Sequence, residues 1–192
     1  MRSTHVASLG FTLIELMVTI AIAAILLGVA IPNFSTVISG NRLTTQTNEL
    51  AAALNLARSE AIKRGIQVSI RRLGSTNQVW ENGWDVFTDT NGNGTLNDDG
   101  DTSLCEAGED CLLKTYGALP QGYTLRTSTN FSCWIAYLPD GTSKGSGSAC
   151  TGGLGSDTFR LCDNAQTITR SKSITILATG RSRVSSSADS CP

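Results

Sequence analysis

Glu15 is the single ionisable side chain between Phe11 and Ile31, a 21-residue run reading FTLIELMVTIAIAAILLGVAI. A carboxylate in such a segment costs several kcal/mol in a membrane unless it finds a partner. The N-terminal end of its own helix offers a dipole. Cleavage after Gly10 would offer a cation, the new amine of Phe11, in the same subunit or in a neighbour. A second group of interest is Gly180-Arg181-Ser182-Arg183. Residues i and i+2 of a strand share a face, so Arg181 and Arg183 project together. Guanidinium forks match phosphate oxygens and stay charged. Arg170 and Lys172 precede them on an alternating strand and could extend the patch. The third group is six cysteines, Cys105, Cys111, Cys133, Cys150, Cys162 and Cys191, with no Cys-x-x-Cys pair. Even number and loose spacing read as disulfides in an oxidising compartment. Connectivity does not follow from sequence, but proximity suggests Cys105–Cys111, Cys133–Cys150 and Cys162–Cys191.

A fourth group, Asp89-Thr90-Asn91-Gly92-Asn93-Gly94, resembles the opening of a calcium loop, with oxygens at Asp89, Asn91 and Asn93. The closing acid is missing, since Gly100 stands in its place. A polar hairpin turn, in which Asn-Gly steps supply positive φ, is the expected reading, with calcium as the alternative. No other metal site and no cofactor is expected. The one histidine, His5, precedes Gly10. A chain cut there would lack histidine, which excludes Ser-His-Asp and Cys-His catalysis and leaves no sign of an enzyme. Net charge is −1, but residues 81–110 hold nine acids and no base. Residues 111–192 hold eight bases and four acids, so the basic residues of any polyanion site must lie in the C-terminal part. Trp80, Trp84, Phe87, Tyr123 and Phe159 fall on strand candidates and are expected to form core.

These groups need elements to hold them. Residues 11–31 are long enough for a transmembrane helix, roughly 30 Å. Arg2 before it places the N-terminus in the cytoplasm and the rest outside. Leu43, Leu50, Leu54, Ala57 and Ala61 then form one apolar stripe, so residues 32–64 read as the amphipathic half of the same helix. Pro32 is expected to kink it, and Gly65 to cap it. From residue 65 to 192 the pattern is β-rich. Strands are expected near 66–72, 78–81, 84–88, 112–116, 122–127, 133–138, 158–162, 173–178 and 181–185, with a Gly/Ser loop over 141–157. The fold class is α+β, a long helix on antiparallel sheet.

Gly10-Phe11-Thr12-Leu13-Ile14-Glu15-Leu16 resembles the leader junction of type IV pilins and type II secretion pseudopilins. The resemblance implies that residues 1–10 are a leader removed by prepilin peptidase, and that Phe11 becomes N-methylated. It implies that Glu15 serves assembly with other major and minor pilins. Location would then be the inner membrane before assembly and the cell-surface pilus after it. Leu54 to Arg64, Gly83-Trp84-Asp85-Val86-Phe87, Leu119-Pro120 to Leu125, Pro139-Asp140-Gly141 and Thr158-Phe159-Arg160-Leu161-Cys162 are similar to the GspH/FimT group of minor pilins and pseudopilins. The Gly180, Arg181, Arg183 tail resembles the DNA-binding element of FimT-type minor pilins. It implies sequence-independent binding of DNA during uptake. The alternative function is a structural, assembly-priming minor pilin or an H-type pseudopilin.

Overall fold

The computed structural model describes residues 10–97, 105, 108–166 and 168–191, without the side chains of residues 29–35. The expected leader residues 1–9, and Asp98, Asp99, Gly100, Asp101 and Glu106 of the acidic segment, lie outside the described residues.

Helix α1 runs Leu13–Arg64, with its backbone helical through Gly28 and Pro32. The chain divides between Ser39 and Gly40 into two units. In the first, the apolar side chains are exposed: Phe11 by 82%, Leu13 by 76% and Ile25 by 70%. Among the described residues no helix is long and apolar enough to cross a membrane. The last three residues of the expected span, 29–31, are among those whose side chains are not described.

In the second unit the predicted stripe is the buried face of α1. Leu43, Leu50, Leu54, Ala57 and Ala61 are all buried, joined by Thr47 and Ala53. Small residues at Ala53, Ala57 and Ala61 let the sheets approach the helix axis closely. Lys63 and Arg64 fill the last turn, where their charge suits the dipole. Gly65 follows at φ +70°, its amide donating to the Ala61 carbonyl, a left-handed helix stop.

Nine strands follow: β1 (Val68–Arg72), β2 (Trp84–Thr88), β3 (Leu112–Tyr116), β4 (Thr124–Arg126), β5 (Trp134–Tyr137), β6 (Ser143–Gly145), β7 (Asp157–Cys162), β8 (Lys172–Ile176) and β9 (Ser182–Ser185). They form two antiparallel sheets, ordered β3-β2-β1-β5-β6 and β4-β7-β8-β9. One core joins α1 to both. Val68, Ile70, Val86 and Ile135 come from the first sheet, and Leu125, Phe159, Leu161, Ile174 and Ile176 from the second.

Two expectations are corrected. Residues 78–81 are not a strand. Gln78 takes φ +67°, and only an isolated bridge joins Val79 to Arg126. The segment instead drops Trp80 into the core, its indole N–H donating to the Phe131 carbonyl at 3.0 Å. Part of the expected Gly/Ser loop is strand β6, paired with β5. Gly145 fits there because a Cβ would come within 2.4 Å of the Asn130 and Leu154 carbonyl oxygens.

Tyr137, on β5, is 1% exposed. Burial pushes its phenol up from 10.0 to about 12, with the Arg58 charge opposing. A group whose folded value is raised contributes stability that is complete below the unfolded value and lost as pH rises through the folded one. Stability should therefore fall by roughly 2–3 kcal/mol between about pH 10 and about pH 12. Urea unfolding across that range checks this, and Tyr137→Phe should flatten the loss.

Candidate functional site

The arginine tail is a hairpin. β8 and β9 pair Ile176 with Ser182, Thr175 with Arg183, Ile174 with Val184 and Ser173 with Ser185. The turn closes with the Gly180 amide donating to the Leu177 carbonyl at 2.7 Å and the Leu177 amide to the Arg181 carbonyl at 3.0 Å. Gly180 sits at φ +77°, where a side chain is strained. A Cβ there would also lie 1.9 Å from the Gly141 carbonyl oxygen. The motif glycine is thus required by the turn and by its neighbour.

That neighbour is held by a residue the sequence reading had not singled out. Arg58, next to the apolar stripe of α1, donates from Nε to the Gly141 carbonyl at 3.1 Å and from Nη2 to the Thr179 carbonyl at 3.3 Å. The helix end, the Pro139-Asp140-Gly141 turn and the Gly180 turn therefore meet at one guanidinium. Ser143 adds to the junction, donating to the Leu177 carbonyl and accepting nothing from the tail arginines.

Arg181 and Arg183 are exposed, and among the described residues no carboxylate pairs with either. β9 is an edge strand, so both guanidiniums stand at the margin of the second sheet. Across the ladder Arg183 faces Thr175 and Arg181 faces Leu177. Both belong to the outer face, the one turned away from α1.

The expected four-residue patch is narrower than its sequence suggests. Lys172 pairs with Leu161 and lies on the opposite face, with Ile174, beside Thr47 and Leu50 of α1. Side chains alternate along β8, so Lys172 cannot share a face with Thr175 and Arg183. Arg170 is not on a strand. It ends a 3-10 turn, Ile168–Arg170, with Nη2 at 3.4 Å from the Asp163 carboxylate.

The outer face instead carries Arg160, from β7. It forms a two-pronged pair with Asp189, with Nη2 to Oδ2 at 2.9 Å and Nε to Oδ1. Arg160 also donates to Ser128 Oγ at 3.0 Å. The hydrogen bond from Arg160 holds the Asp189 carboxyl below the usual carboxylate range, with burial opposing. The same bond raises Arg160. Disulfide Cys162–Cys191 ties the chain end to β7, and the other pairs are Cys105–Cys111 and Cys133–Cys150.

The Asp89 loop satisfies itself. Asp89 is buried, and its carboxylate accepts from the Asn93 and Gly94 amides, Gln67 Nε2 and Ser69 Oγ. The Asn91 and Asn93 side-chain oxygens accept from the amides two residues on. This is the hydrogen-bonding pattern of a turn, with the oxygens of the calcium alternative engaged by protein donors. Asp85 and Asp110 are likewise buried, and Glu81 pairs with Arg126. Much of the described acidic segment therefore organises loops rather than forming a repelling surface.

At the other end of the chain, Thr12 and Glu15 form a reciprocal helix cap. The Thr12 amide donates to Glu15 Oε2 at 3.2 Å and the Glu15 amide donates to Thr12 Oγ1 at 3.3 Å.

Residues 46–180 match the family described as type II transport protein GspH, and residues 7–31 match the prokaryotic N-terminal methylation motif. The fold is similar to that of the type IV minor pilin FimU of Pseudomonas aeruginosa (strain PAO1). In its P21 crystal form the TM-score is 0.55 at 21% identity, covering 79% of this chain and 96% of that one. In the P65 form it is 0.53 at 21% identity, covering 78% and 100%. No curated protein matches the chain. The GspH match spans well over half of the sequence, and the chain belongs to that family, a non-enzymatic group of minor pilins and pseudopilins that works without a cofactor.

Proposed function

We propose that this protein is a minor pilin that binds extracellular DNA through Arg181 and Arg183 for uptake in natural transformation. The observation that carries the reading is the pair of exposed guanidiniums on an edge hairpin, without a carboxylate partner among the described residues. Such contacts hold the phosphate backbone and read no bases, so binding is sequence-independent and weakens steeply with salt. In this reading prepilin peptidase cuts after Gly10 and Phe11 is methylated. Residues 11–31 anchor the subunit in the inner membrane with the globular part periplasmic. Glu15 then pairs with the Phe11 amine of a neighbouring pilin as the filament forms, and the globular part reaches the cell surface.

The test is a gel shift with the full chain in nonionic detergent. Wild type should retard a duplex of mixed sequence at low salt, and Arg181→Ala/Arg183→Ala should not. Each lost phosphate contact should reduce the log–log salt slope by about 0.9. Retardation that survives the double substitution removes the assigned site.

A structural role, as an assembly-priming minor pilin or an H-type pseudopilin, is the second reading. It is favoured by the same edge strand, because β9 has an unpaired backbone margin that a neighbouring subunit could meet. No retardation at low salt would put this reading first. A deletion strain separates the two: loss of transformation with twitching intact supports the receptor, and loss of both supports priming.

A further inference from the structure

The outer face of the second sheet carries more than the two tail arginines. One row across it reads Arg183, Thr175 and Thr158, with the two threonine hydroxyls 3.0 Å apart. The next reads Ser185, Ser173, Arg160 and Arg126. Crossing three strand intervals from β9 to β4 takes about 14 Å. Two grooves open on this face. One, of about 410 Å³, is lined by Thr158, Ser173, Thr175, Ser185, Ser187 and Asp189. The other, of about 560 Å³, is lined by Arg126, Thr127, Ser128, Arg160 and Ser190, among others. The aromatic Phe159 lies on the opposite face, in the core. Hydroxyls and guanidiniums without aromatic rings suit backbone phosphates rather than stacked bases.

Arg160 sits in the middle of this face, and Asp189 occupies its fork. The backbone around Asp189 is fixed. The Ala188 amide donates to Ser171 Oγ at 2.6 Å, Ser173 Oγ donates to the Ser187 carbonyl at 2.9 Å, and Cys191 is bonded to Cys162. The Asp189 side chain is 67% exposed, whereas that of Arg160 is 18% exposed. A carboxylate and a phosphate present similar oxygen pairs to an arginine fork.

We propose that the DNA site continues from the hairpin across this face, with Arg183, Thr175, Thr158 and Arg160 contacting successive backbone phosphates. Asp189 holds the phosphate position on Arg160 until DNA displaces it. This rests on the DNA reading above and adds to it a masked third arginine.

Binding of a labelled mixed-sequence duplex to the full chain in detergent, across a salt series, tests the assignment. Asp189→Asn should tighten binding by about fivefold or less at low salt, the scale of an exposed ion pair. It should also steepen the salt slope by about 0.9, one added phosphate contact. The gain should vanish in Asp189→Asn/Arg160→Gln, which should match Arg160→Gln alone, as coupled residues do. Glu49→Gln, an equal charge change on the exposed side of α1, should leave the slope unchanged. Near-ultraviolet circular dichroism confirms that each variant is folded. An unchanged slope in Asp189→Asn, or a gain that persists without Arg160, overturns the assignment. If wild type still binds and Arg181→Ala/Arg183→Ala does not, the hairpin reading survives that failure. If neither wild type nor Asp189→Asn binds, both readings fall.

Discussion

Gly180→Ala should cost the globular unit about 2–4 kcal/mol and abolish DNA retention together with it. Two effects add. A side chain in the left-handed region costs about 1–2 kcal/mol, and Gly180 stands at φ +77°. The added Cβ also meets the Gly141 carbonyl oxygen at 1.9 Å, so one turn must move. Forced displacement of packed groups costs about 1–3 kcal/mol. The Gly141 carbonyl is an acceptor for Arg58, so the displacement pulls on the fork that also holds Thr179. Urea unfolding measures the first effect and the gel shift the second. Arg181→Ala/Arg183→Ala should lose DNA retention at unchanged stability, because both side chains are exposed. A Gly180→Ala chain as stable as wild type would show that the turn does not impose the conformation described.

Trp80→Ala should be more damaging to stability, at about 3–5 kcal/mol. The side chain is fully buried, packs edge to face on Phe159 at 4.9 Å and donates to the Phe131 carbonyl. Truncation leaves a cavity and an unpaired buried carbonyl together. Trp80→Phe should recover part of the loss, since the ring contact returns and the indole donor does not. The check is denaturant unfolding followed by tryptophan-independent circular dichroism. A loss below about 1 kcal/mol would mean that the site collapses around the missing ring.

How much of this was legible in sequence depends on whether the cause was local. The stripe Leu43 to Ala61 announced the buried helix face because spacing alone sets which side chains share it. Gly65 announced the helix stop for a similar reason. Strands rich in apolar residues, such as Trp84-Asp85-Val86-Phe87-Thr88, were found at the residues observed. β6 was hidden because Ser143-Lys144-Gly145 has no alternating pattern, and close backbone approach makes it a strand. The segment at 78–81 misled in the other direction. Val79 and Trp80 look like strand residues, but the positive φ of Gln78 breaks the ladder. At the arginine site the hairpin was legible and its surroundings were not. Lys172 looked contiguous with Arg181 along the chain, whereas the register with Leu161 turns it to the other face. Arg58, Arg160 and Asp189 reach their partners across 83, 29 and 29 residues, distances over which no motif carries a signal.

The Thr12–Glu15 cap bears on how a subunit could wait before joining a fibre. A solitary acid in a greasy surround would drive its subunit into any available contact. Here the acid already has a host one turn away, so a lone molecule is content. Recruitment by a neighbour's terminus then becomes a swap of one host for another, with little net drive from this group. Growth and disassembly can both proceed from such a balance, and the direction is left to the greasy surfaces on either side.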